Sequence, residues 1–406
     1  MVSTSLHRHW PFIGFVVAAV AYYPRFAHPG GMQLYRHAAE CVWTEQILQV
    51  CDVAFTYPPA FAFLILPFVA MPIWLAVFIW YLITLACTAW CLVLCKRLAL
   101  QLFVRDPWDS KELIWFQVLS FLLSLKLILA VYEDQAYDLL VLPFTLWGIL
   151  ALVQHRPLAG AASLALAAAL KVTPLIFLPY LVFKKQFAGA ALFVLVLVAC
   201  SFITDAFFTP KGGEHGYFIT WIKEVAAPGL FENPTAAKLA FWHDVNPYNL
   251  SLRGMIALAL DKTSYQDNFQ LILRIAQFAF IAVLAGLLLL AMGWEMIAVE
   301  GSLLIIAMLM LSPMSGRGHF VQLMLPYAVL VAAVIKDRVT PWLGSIVLAA
   351  SFILCTTIPR DIVPRAYNEF MRMHSDITWG TLVLVIYLAA IVWCPQCWGI
   401  RQTSKN

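Results

Sequence analysis

Charge is what this sequence has least of. Only 12% of its 406 residues are Asp, Glu, Lys or Arg, while 63% are hydrophobic. Soluble domains carry about 25% charged residues. Too few are present here to cover a water-facing surface, so a soluble globular protein is excluded. The formal charge of +4 is too small and too scattered to hold nucleic acid. Most of the positive charge sits in short loops, where it reads as topology. An internal repeat, a low-complexity tract and a soluble domain are also lacking. The apolar run Trp10 to Tyr23 follows His7, Arg8 and His9, as the core of a signal peptide would. No small-x-small cleavage site comes after it, only Pro24, Arg25 and Phe26, so it reads as a first span with the N-terminus inside.

What is present is a series of apolar runs, and crossing a bilayer takes about 20 such residues. The runs are 10–24, 57–72, 73–95, 113–132, 136–153, 158–170, 172–183, 187–205, 269–293, 297–312, 318–335, 341–358 and 377–396. Only helices satisfy their own backbone inside lipid, apart from closed barrels, so the expected class is all-α, a polytopic transmembrane helical bundle. The expected organisation is one membrane domain over 1–406, with outer loops 25–56 and 206–268 forming the active-site face. Loop 206–268 carries Phe231, Phe241, Trp221 and Trp242 among polar residues, which suits helices lying in the interface plane.

Counting back from an inside Arg401 and Lys405 puts Lys336 and Arg338 inside and the turn at Arg317 outside. Lys184-Lys185 and His155-Arg156 both fall inside, so 158–183 must go in and return as two half-length helices meeting near Lys171 and Pro174. Further back the parity fails. Lys96 and Arg97 belong inside, yet two full spans after loop 25–56 would leave them outside. Either 57–72, with its four prolines, does not cross, or the charge rule loses there.

Ionisable residues inside spans mark functional sites by default. Lys171 coincides with the helix break, where its ammonium can meet an anionic group; the plainer reading is a lysine reaching the interface. Lys126 sits inside 113–132, about two turns before Glu133 and Asp134. Those acids and Asp138 form a cluster at a helix-helix turn that reads equally well as a solvated loop. Glu40, Glu45 and Asp52 lie in the first loop, where a carboxylate can serve as general base. Arg317 and His319 occupy the outer turn Ser312-Pro313-Met314-Ser315-Gly316-Arg317-Gly318-His319, and a guanidinium fork there can clamp phosphate. Most of the nine cysteines lie in apolar runs as inert core. Cys41 and Cys51 lie in a polar segment, where a disulfide is permitted if the segment faces outside. Cys394 and Cys397 form an isolated CxxC, for which neither a redox nor a zinc role is expected.

Together these segments resemble one family. Leu34-Tyr35-Arg36-His37-Ala38-Ala39, Phe55-Thr56-Tyr57-Pro58-Pro59-Ala60-Phe61-Ala62 and Leu66-Pro67-Phe68 look like the opening of glycosyltransferase family 87. Asp134-Gln135, Gly160 to Pro174, Asn249-Leu250-Ser251-Leu252 and Leu311-Ser312-Pro313 with His319 continue the likeness in order. The resemblance implies a C-type glycosyltransferase of a bacterial cytoplasmic membrane, multi-pass, with its active site on the outer face. It implies a polyprenyl-phosphate hexose as donor, typically mannose, a lipid or glycan acceptor, and membrane lipid around it.

The donor phosphate and sugar would meet Lys171, Arg317, His319, Gln135, Asp134 and Asn249. No cofactor is implied, and a divalent metal is compatible but not required. The sequence departs from the family where an acid usually precedes Tyr35 by about four residues: Gly31 stands there. Tyr137 replaces a usual asparagine. Asp52 is therefore expected to be the catalytic base, with Glu40 as its competitor. Two rival readings stay open: a lipid or glycolipid transporter or flippase, since half-helices also mark transporter sites, and a divergent, non-catalytic member.

Overall fold

The computed structural model describes residues 20–103, 107–228, 245–261, 263–292, 295–336, 341–356, 364–398 and 400. Of the expected first span, 10–24, residues 10–19 lie outside them and 20–24 are helical; Phe231, Phe241 and Trp242 lie outside them as well. The described residues contain no strand, and the architecture is the expected all-α membrane bundle. The longer helices are α1 (Gly30–Trp43), α2 (Ile73–Leu102), α3 (Ser110–Asp134), α4 (Asp138–Val153), α5 (Pro157–Leu170), α6 (Phe187–Ser201), α7 (Phe269–Ala291), α8 (Ile297–Leu311), α9 (Met324–Lys336), α10 (Pro341–Thr356), α11 (Arg365–Met373) and α12 (Asp376–Trp393); shorter ones are given by range.

Five described helices are long and apolar enough to cross a membrane: α2, α3, α12, and the extended forms of α7 and α9, Gln266–Ala291 and Arg317–Lys336. The outward side of α7 shows why such helices need lipid. Leu271, Ile275 and Phe278, at i, i+4 and i+7, are all exposed. α9 lies at the centre instead, buried along almost its whole length.

The bundle has two unlike ends. At one end α2 begins, α3 meets α4, and α8 hands over to the Arg317 turn. At the opposite end lie Lys96, Arg97, His155, Arg156, Lys184, Lys185 and Lys336. Buried ion pairs anchor that opposite end. Glu300, fully buried, accepts hydrogen bonds from Tyr180 at 2.5 Å and Lys184 at 2.6 Å. Lys336 reaches Glu112 at 2.6 Å and the Pro107 carbonyl at 3.0 Å.

The parity conflict is resolved by the first of its two alternatives. Residues 57–72 do not cross: Pro59–Ile65 is one short helix, followed by a tight 3-10 turn Leu66–Phe68 and a break before Pro72. Both pieces stay at the first end, where Arg36 Nη2 donates to the Val69 carbonyl at 3.0 Å. The break expected in 158–183 is present. α5 stops at Leu170, Lys171 is extended with φ −148° and ψ 120°, and Thr173–Ile176 and Phe177–Phe183 return the chain to Lys184.

Cys41 and Cys51 are joined in a disulfide, with Cα atoms 6.0 Å apart. Cys394 and Cys397 are joined as well, although the sequence suggested no role for that pair.

Candidate functional site

A cavity of about 970 Å³ opens at the first end of the bundle. Its floor is apolar, made by Leu127 of α3 and Ala307, Met308 and Leu311 of α8. Its rim is polar, with Asp134, Ser312 and Arg317 on one side and Glu369, Arg372 and Asp376 on the other. Thr56 and Tyr57 from the first loop, and Trp221, Val225, Pro247 and Tyr248 from the second, complete the wall. Trp221 is fixed by its indole N–H, which donates to the Thr56 carbonyl at 3.0 Å.

Lys171, Arg317 and His319 all line this one cavity, so the three residues expected to converge do so. The break after α5 delivers Lys171, which is 7% exposed. Its ammonium donates to Asp138 Oδ1 at 2.5 Å, and it stands 5.3 Å from the centre of the Tyr137 ring. Asp138, 1% exposed, opens α4; its other oxygen lies 3.9 Å from His319 Nε2. A buried charge is tolerable only when paired, and Asp138 is the partner that lets Lys171 sit inside the bundle. Tyr137 is stacked on Phe61 at 4.3 Å and set edge-on to Tyr57 at 4.7 Å. The residue that departs from the family pattern thus supplies an aromatic face to the lysine.

Arg317 Nη2 donates to Glu133 Oε2 at 2.6 Å and lies 3.9 Å from Asp134 Oδ1. Asp134 ends α3 and is exposed to the cavity. Gly31 stands against it: a Cβ there would come 2.9 Å from the Asp134 carbonyl oxygen. An acidic side chain at position 31 would therefore require the turn after α3 to shift. The cavity wall carries Asp134 beside that spot instead.

Two other expected donor contacts hold backbone and do not line the cavity. Gln135 adopts the left-handed conformation, φ 49°, at the end of α3. Its amide donates to the Phe26 and His28 carbonyls at 2.7 and 2.6 Å and accepts from Met32 N at 2.9 Å. Asn249 donates to the Pro313 carbonyl at 2.9 Å and accepts from Ser251 and Ser315 N–H groups at 3.2 Å. Gln135 fixes the entry to α1, and Asn249 fixes the Arg317 turn.

The two carboxylates expected as base do not line the cavity either. Glu40 is exposed on α1, 3.9 Å from Arg36. Asp52 is 6% exposed behind the first loop, where Oδ1 accepts from Ala54 N at 3.1 Å. Burial holds its carboxyl above the ordinary range, against the pull of His37 and of backbone N–H groups. Among the described residues, the one trio with metal-ligand spacing is His37, Cys41 and Cys51, and its two sulfurs are bonded to each other. Sequence reading passed over Glu369, Arg372 and Asp376. The signal for them was the charged, amphipathic stretch just before the last span.

The model of glycosyltransferase family 87 matches residues 55–313, more than half of the chain. No curated protein and no solved structure matches it.

Proposed function

We propose that this chain, which belongs to glycosyltransferase family 87, moves a hexose, mannose first among the candidates, from a polyprenyl-phosphate donor to a lipid or glycan acceptor. The reaction would run on the outer face of a bacterial cytoplasmic membrane. One observation carries this reading: a single cavity joins an apolar floor to a rim bearing Arg317, His319 and Asp134. A lipid-linked sugar needs that pairing, since its tail must stay in an apolar medium while its phosphate and sugar meet polar groups.

In the reaction the acceptor hydroxyl loses its proton to a carboxylate as its oxygen attacks the anomeric carbon. The carbon–oxygen bond to the phosphate breaks on the opposite face, so the anomeric centre inverts and polyprenyl phosphate leaves with the electron pair. Asp134 is the base that best fits this geometry, because it faces the cavity beside the arginine that would meet the phosphate. Asp52 and Glu40 do not line the cavity, which favours Asp134 over them. Arg317, with a side chain 41% exposed, can turn its fork from Glu133 toward an incoming phosphate.

The test uses purified protein and labelled polyprenyl-phosphate mannose, with release of polyprenyl phosphate as the readout. Asp134→Asn keeps shape and removes basicity, and should slow turnover about a hundredfold or more with donor binding retained. An Asn variant that turns over at the parental rate removes Asp134 from the role. Failure to consume any polyprenyl-phosphate hexose, whatever the acceptor, removes the donor class.

A further inference from the structure

We propose that Lys126 binds the phosphate of the lipid donor. The inference rests on the polyprenyl-phosphate reading above and adds to Arg317 a second cation for the same phosphate. Four cations line the cavity: Lys126, Lys171, Arg317 and Arg372. Two of them are held by carboxylates and a third lies against a ring. Lys171 is balanced by Asp138 at 2.5 Å. Arg317 is held by Glu133 at 2.6 Å, with Asp134 at 3.9 Å. The Arg372 guanidinium lies 4.5 Å from the centre of the Tyr248 ring. An anion approaching Lys171 or Arg317 must first displace a carboxylate. Lys126, among the described residues, has no ion pair, hydrogen bond or ring contact.

A lone ammonium inside an apolar helix is costly, and the ordinary remedy is to stretch toward the interface. Lys126 stands about 12 Å below the end of α3, at 1.5 Å per residue. It shares the cavity wall with Leu127. Lys126 thus lines the cavity about two turns below Asp134, where a phosphate entering past the rim would meet an ammonium with no carboxylate to displace. That height is where a lipid monophosphate changes character, with the chain below and the charged group above. A lysine is a compact charge on a flexible stem, suited to a phosphate whose orientation shifts as the sugar leaves.

Binding is measured on detergent-purified parent, Lys126→Met and Lys126→Arg with polyprenyl phosphate, uncharged polyprenol and inorganic phosphate as probes, and donor KM and kcat are read alongside. Loss of one charge-assisted contact should weaken polyprenyl phosphate binding about tenfold or more in Lys126→Met. Donor KM should rise in step while kcat changes little. Lys126→Arg should bind nearly as the parent does, and polyprenol should bind all three alike. Lys126→Met puts an apolar side chain in an apolar run, so its thermal stability should hold or rise, which separates lost binding from lost fold. Equal binding of polyprenyl phosphate by parent and Lys126→Met overturns the inference and leaves the proposed reaction standing. Inorganic phosphate competing as well as the lipid would overturn the assignment to a lipid head group. A parent that neither binds polyprenyl phosphate nor consumes its hexose removes both readings together.

Discussion

Lys171 and Asp138 illustrate how a single charge can be essential to the fold and still be a poor ligand. Each makes the other's burial affordable, and removing one leaves an uncompensated charge, at a cost of about 3–5 kcal/mol. Lys171→Met should therefore lower thermal stability sharply. Adding Asp138→Leu to it should restore much of the loss, because an apolar pair of similar volume is often as stable as a buried ion pair. If the double variant is no more stable than the single one, the pair does more than balance charge. Asp52 makes the contrasting case. Burial raises its pKa, so the folded state favours the protonated form. The stability this contributes is present below the ordinary carboxylate pKa and is lost as pH rises through the raised value. Asp52→Asn should be more stable than the parent at neutral pH, should lose that advantage in acid, and should keep near-parental transfer activity. A dead but folded Asp52→Asn would return the base to the first loop.

At the level of elements, the site is assembled from turns held by amides. Asn249 ties the 245–251 segment to the turn carrying Arg317, and the link is doubled where Leu250 N donates to the Ser315 carbonyl at 2.7 Å. Asn249→Ala orphans several buried partners, at about 1–3 kcal/mol for each group left unsatisfied. The expected result is lower stability together with a higher donor KM, because the Arg317 turn is loosened. Stability loss with unchanged KM would limit Asn249 to folding.

The sequence announced some of these elements and hid others for physical reasons. The break at Lys171 was legible, because charge on both flanks required a return and a lysine with Pro174 marked the place. The convergence of Lys171, Arg317 and His319 was legible from the same count of sides. The roles of Gln135 and Asn249 were not. An amide that will bond backbone three helices away looks the same in one dimension as one that will bond a sugar. The choice among Asp52, Glu40 and Asp134 was hidden for a related reason, since nearness to a stiff proline pair says nothing about which wall a carboxylate faces. The failure of 57–72 to cross was posed correctly by Lys96 and Arg97, but only the fold could decide it.

At the level of the whole molecule, the two ends divide the work. One end carries the cavity and the first-loop disulfide. The other carries Lys96, Arg97, Arg156 and Lys185 and the Glu300–Lys184 and Glu112–Lys336 pairs. The family assignment makes the molecule a transferase, and such an enzyme needs no passage through the bilayer. A cavity at one end makes catalysis vectorial: donor and acceptor must both be present on the side it faces. Protein inserted at random into sealed vesicles should show latency. With impermeant acceptor supplied outside, about half of the molecules should stay silent until detergent opens the vesicle, the share expected when insertion has no charge-directed preference. Full activity in sealed vesicles of proven random orientation would mean that the cavity communicates with both sides. If the donor is the lipid-linked hexose proposed above and is made on the side away from the cavity, it has to be turned over across the bilayer before this enzyme can use it.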